Sequence, residues 1–182
     1  MSGLGSFLPE EQDLLIGIFY RVGFWISHID DTDISEESEQ IEQQQLLRAL
    51  QKIATAKGAT ELIQELAAEA LRRSGDQARW LGQEDTLLDD VNKAARMMRT
   101  QGTDDDYRSF GKSVMFAATS VARAFREEPE QEEERGKMAR LLEKASSLVG
   151  AVADREAYQD MSISPAEDTA LHDLSNALTV RN

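Results

Sequence analysis

The chain has no cysteine. Disulfides, thiol catalysis and cysteine-based zinc sites are therefore excluded. It has only two histidines, His28 and His172. No Glu-x-x-His pairs occur on two helices, so a di-iron bundle has no ligands. No glycine-rich phosphate loop or dinucleotide fingerprint is present. Nothing supplies an ordered Ser-His-Asp set for nucleophilic catalysis. Positive charge is also scarce: 20 Lys and Arg stand against 34 Asp and Glu, a net charge of -14. That field repels nucleic-acid phosphates and anionic lipid, and favours cations and basic protein surfaces. No stretch alternates with period two, so no strand is expected. The opening residues MSGLGSFLPEEQ lack a basic n-region, so a cytoplasmic protein is expected. These absences together predict a protein that is not an enzyme.

What is there is one strongly apolar stretch, Leu14 to Ile29, with eleven apolar residues in sixteen, among them Phe19, Tyr20, Phe24 and Trp25. A membrane span needs about 20 apolar residues. This one is shorter, carries Arg21 at its centre, and runs into an acidic loop. It reads as a buried helix wrapped by others. Gly17 and Gly23 weaken it intrinsically by about 1 kcal/mol each against alanine, which is tolerable where neighbours approach closely. Arg21 requires a partner, either the Trp25 ring one turn on or a carboxylate from another helix.

The length fits a single domain over residues 1–182, with residues 1–8 as a flexible N-terminal arm. Seven helices are predicted, packed round the hydrophobic N-terminal one: an all-α fold. They run over about 9–29, 36–57, 60–74, 84–100, 103–125, 130–152 and 165–178. The three prolines, Pro9, Pro129 and Pro165, lie near predicted helix starts, where a missing N–H costs nothing. Thr103 with Asp106, and Ser164 with Pro165 and Glu167, read as capping boxes. Trp80 and Leu81, in a short turn, are expected to plug one end of the core. Asp168 and His172 share a helix face and are expected to pair.

The acidic loops are the candidate chemistry. Residues 1–70 carry a net -9, residues 71–126 a net +2, and residues 127–182 a net -7. If the two ends meet, they form one negative surface. Asp31, Asp33, Ser35, Glu37, Glu39 and Glu42 fall at the ligand spacing of a calcium-binding helix-loop-helix. The match fails where that motif is strictest, because Glu36 stands where the turn needs glycine. A looser site for a divalent cation, Ca or Mg, would join Asp30, Asp31 and Asp33 to Asp154 or Asp160 of the second loop. The alternative reading is that these carboxylates complement helix dipoles, as Asp104, Asp105 and Asp106 do at another helix start. His28, beside the first loop, is either a ligand or a partly buried neighbour of Asp30 and Asp31.

Two places follow one plan: an apolar helix, an acidic loop ending in Ile-Ser, then a helix with carboxylates in its first turn. The first runs from Ile26 through Ile34-Ser35-Glu36 to Leu50. The second runs from Val149 through Ile163-Ser164 and Glu167 to Leu178. Here the chain resembles the TerB-type tellurite-resistance domain, a helical fold of about seven helices with an internal duplication. Ile29-Asp30-Asp31 with Ile34-Ser35-Glu36, and Ala153-Asp154 with Ile163-Ser164 and Glu167, match its loop pattern. The glycine of that pattern is absent from both copies. The resemblance implies a stress-associated module with an acidic cation-binding surface and no catalysis. The expectation is a non-enzymatic binding module with a basic protein partner. The alternative is a structural or adaptor subunit, self-assembling or not, with no metal role.

Overall fold

A computed structural model describes residues 3–29, 36–124 and 164–180. Every regular element among them is helical, with no strand. Six α-helices follow in order: α1 Pro9–Ile29, α2 Glu36–Thr55, α3 Glu61–Arg72, α4 Leu87–Gln101, α5 Asp104–Ala122 and α6 Pro165–Leu178. Short 3-10 turns cover Leu4–Ser6, Ser74–Arg79 and Glu84–Thr86. The helix predicted over 130–152 lies outside the described residues.

The first helix occupies the predicted span. Every residue from Leu15 to Gly23 is buried, and α1 packs on each of the other five helices. So does α5, buried on nearly all sides from Ser109 to Thr119. The two meet through Phe19 and Phe110, edge to face at 6.2 Å. Each such ring, fully buried, is worth about 1.5–3 kcal/mol of transfer free energy. The glycines serve close approach. A Cβ at Gly23 would stand 2.6 Å from Leu46 Cδ2, so the bare backbone is what lets α2 come so near.

Both capping boxes form. Asp106 N–H donates to Thr103 Oγ1 (3.1 Å), and Asp106 Oδ2 accepts from Thr103 N–H (2.9 Å). Glu167 N–H donates to Ser164 Oγ (3.2 Å), and Ser164 N–H to Glu167 Oε2 (2.8 Å). The far end of α6 is held by side chains of other helices as well as by its own last turn, where Thr179 N–H donates to Asn176 O (3.1 Å). Tyr107 Oη donates to Leu178 O (2.9 Å) and accepts from Val180 N–H (3.1 Å), while Asn92 Nδ2 donates to Ala177 O (3.0 Å). These contacts satisfy C-terminal carbonyls that would otherwise lack partners.

Several expectations are refined. The segment read as an N-terminal arm buries Phe7, and its Leu4 N–H donates to Glu65 Oε2 (2.9 Å). Trp80 plugs the core at 6% exposure, but Leu81 does not, at 49%. The fourth helix begins as a 3-10 turn before settling at Leu87. No ion pair joins Asp168 to His172 among the described residues, and His172 is exposed. Arg21 is held by Asp90 of α4 and by the 3-10 turn before it, rather than by Trp25. Its Nη1 donates to Asp90 Oδ2 (2.8 Å), and its Nη2 to Gln83 O (2.7 Å) and Thr86 Oγ1 (3.0 Å).

Candidate functional site: the cleft at the α1–α2 end

Three aromatic rings lead along α1 to this end. Trp80 stacks on Tyr20 at 5.1 Å, almost parallel, and Tyr20 stacks on Phe24 at 6.4 Å. Tyr20 Oη donates to Ala70 O (2.7 Å), and burial pushes its hydroxyl pKa up to about 12. Anchoring Trp80 in this way sets the position of its neighbour. Leu81 is turned outward and lines a cleft with Phe24, Leu46 and Val121. The cleft has a volume of about 310 Å³.

The rim of the cleft is polar. Ser27 and His28 come from the last turn of α1, Glu42 and Gln43 from the second turn of α2. The Ser27 hydroxyl donates to Glu42 Oε2, tying the two helices. His28 is exposed, and its Nδ1 lies 2.6 Å from Phe24 O. A carbonyl oxygen only accepts, so this nitrogen carries the hydrogen. Among the described residues, no lysine or arginine lines the cleft.

The residues read from the sequence as cation ligands, Asp30, Asp31, Asp33, Asp154 and Asp160, lie outside the described residues. Among the described residues, no group of three or more His, Asp or Glu side chains is placed to hold a metal ion. The calcium-loop spacing finds its answer in α2, which starts at Glu36. Glu37, Glu39 and Glu42 are thus helical, whereas that motif needs loop geometry at the first two. Of the three consecutive aspartates, Asp106 caps α5 and Asp105 pairs with Arg108 at 3.2 Å. That is ordinary duty at a helix start.

Sequence reasoning singled out His28 and Glu42 but missed their neighbours. Ser27 lies 15 residues before Glu42 in the chain, and Leu81 and Val121 come from two further elements. No local pattern links such positions. Leu81 drew notice in the sequence as a core plug beside Trp80, and only the structure turns it outward.

No protein-family model, curated protein or solved structure matches this chain. Among the described residues, no helix is long and apolar enough to cross a membrane.

Proposed function

We propose that this protein is a non-enzymatic helical binding module of the TerB-like, stress-associated type, acting in the cytoplasm through its α1–α2 end. On this reading the fold has about seven helices, the one over 130–152 included, with a weak internal helix-loop-helix duplication. The acidic connections after the first and sixth helices bind a divalent cation, Ca or Mg, through Asp30, Asp31 and Asp33 with Asp154 or Asp160, or dock a basic protein. The observation that carries the reading is the cleft itself. An apolar floor with a small number of convergent polar groups is the usual form of a binding site. It lies where α1 gives way to the connection bearing three aspartates.

The test is thermal unfolding with millimolar calcium, magnesium, manganese or zinc against a chelator control. A ligand at 100 times its dissociation constant adds about 2.7 kcal/mol. In a domain of this size that raises Tm by roughly 5 to 10 °C. The shift is expected for one hard cation and is lost in the Asp30→Asn/Asp33→Asn variant, whose helical content stays unchanged. No shift with any metal overturns the cation reading.

A second reading, a structural or adaptor subunit without metal, is favoured by the exposed side chains of Leu8 (58%) and Leu81 (49%). Gel filtration giving a defined oligomer whose size ignores chelator supports it. A monomer at high concentration counts against self-assembly.

A further inference from the structure

The six described residues before α1, Gly3 to Leu8, form a strap with one anchor. Phe7 is buried and Leu4 half-buried, while Gly3, Gly5, Ser6 and Leu8 are exposed. Among the described residues, one hydrogen bond ties the strap to a helix other than α1, from Leu4 N–H to Glu65 Oε2 of α3 (2.9 Å). Its other bonds are local. Ser6 N–H donates to Gly3 O (3.0 Å) and Phe7 N–H to Leu4 O (3.2 Å). Leu8 N–H donates to Glu11 Oε2 and Gln12 Nε2 to Phe7 O, both at 2.9 Å, so the first turn of α1 fixes the hinge end.

The glycines of the strap are not demanded by its seated shape. Gly3 has φ −100° and ψ 166°, extended backbone open to any residue. A Cβ there would meet Glu65 Oε2 at 3.8 Å, an ordinary contact, and one at Gly5 would meet nothing within 4 Å. Gly5 has no positive φ either. What both do is enlarge the entropy that the strap gains on leaving. The backbone order of the whole strap is therefore set against the burial of little more than one ring.

We propose that Gly3–Leu8 is a releasable strap, and that the seat it leaves between α1 and α3 docks a short segment of a protein partner. That segment carries a leucine and, three residues on, a phenylalanine. The strap is its template. The seat takes one aromatic ring into the core. Glu65 accepts the main-chain N–H three residues before that ring, and Gln12 donates to the carbonyl of the aromatic residue. Glu65 and Gln12 stand on helices, so they stay when the strap swings out at Leu8. A ring withdrawn from a packed core leaves a cavity, and cavities destabilise. The open seat is therefore better filled by another ring than left empty. The seat lies at the start of α1 and the cleft at its end. Over 21 residues that is about 30 Å. The inference goes beyond the α1–α2 reading and does not rest on it.

The experiment has two arms, both on the full chain. Native-state amide exchange reads the release. The amides of Leu4, Ser6 and Phe7 should exchange at least about a hundredfold faster than those of Phe19 and Tyr20 in the buried part of α1. Gly3→Ala and Gly5→Ala should each slow that exchange about two- to fivefold after correction for intrinsic rates. Fluorescence anisotropy of a labelled, amidated Leu-Gly-Ser-Phe peptide reads the docking. The peptide should bind the Phe7→Ala variant at least about tenfold more tightly than the wild type, whose own strap competes for the seat. The same peptide with alanine in place of phenylalanine should not bind. Strap amides that exchange only together with the core overturn the proposal. So does a Phe7→Ala chain without native helical content, because the ring would then be inseparable from the fold. A natively helical Phe7→Ala chain that ignores the peptide, or takes the alanine control equally well, overturns it too. A metal shift in the wild type without peptide binding removes this inference and leaves the module reading standing.

Discussion

The indole of Trp80 rests on the bare backbone of Gly17: a Cβ there would stand 2.6 Å from Nε1 and 2.8 Å from Cδ1. The ring also stacks on Tyr20, one turn further along α1, at 5.1 Å, and is 6% exposed, so it has little room to withdraw. Gly17→Ala improves intrinsic helix propensity by about 1 kcal/mol. It also overpacks the core, at about 1–3 kcal/mol. The net expectation is a loss of about 1 kcal/mol, measured by urea unfolding followed by tryptophan fluorescence. Gly58→Ala, with nothing within 4 Å of the added carbon, should change stability by less than about 0.5 kcal/mol. Equal stability of the two variants would show that the indole does not confine Gly17.

Arg21 and Asp90 form a pair whose two halves differ in burial. The guanidinium is 4% exposed and the carboxylate 30%. Removing the carboxylate strands a buried cation, whereas removing both groups does not. Asp90→Ala is expected to cost about 1–3 kcal/mol, less than a fully buried pair because water reaches Asp90. The Arg21→Met/Asp90→Ala double variant should cost less than the sum of the singles. A denaturant double-mutant cycle measures the coupling, and strict additivity would refute a stabilising pair.

Tyr20 predicts an alkaline pH dependence. Its hydroxyl pKa stands at about 12 in the folded protein, against about 10 when unfolded. The folded state therefore favours the neutral phenol. The stability this provides is fully present below pH of about 10 and is lost as pH rises from about 10 to 12. In a spectroscopic titration of the phenolate band, one of the three tyrosines should ionise late or only on unfolding. Tyr20→Phe should remove that late step and cost about 1 kcal/mol with the lost bond to Ala70 O. Uniform titration of all three near pH 10 would contradict the burial.

The Ser164 cap offers a local test. Ser164→Ala removes the acceptor for Glu167 N–H and should cost about 1 kcal/mol. Ser164→Gly should cost only a few tenths. Amide exchange in the first turn of α6 should rise in the alanine variant. No change in exchange or stability would mean that the turn is held by packing alone.

What the sequence determined by itself is what depends on near neighbours along the chain. The span of α1 follows from its apolar run and Pro9. The boxes at Thr103–Asp106 and Ser164–Glu167 each close over three residues. Gly102 ends α4 where it was expected to. Such signals are short-range because a helix is built from bonds four residues apart. Only the tertiary structure decided the rest. Arg21 demanded a partner, but Asp90 lies 69 residues away. Gly17 and Gly23 implied close approach without saying that Trp80 and Leu46 would make it. Leu81 looked like its neighbour Trp80 in the sequence, yet one side chain seals the core while the other opens onto the cleft. The cleft gathers Ser27, Glu42, Leu81 and Val121 from four separate places in the chain. Which side chains meet across such distances is fixed by how whole helices pack, and no pattern local to any one helix encodes that.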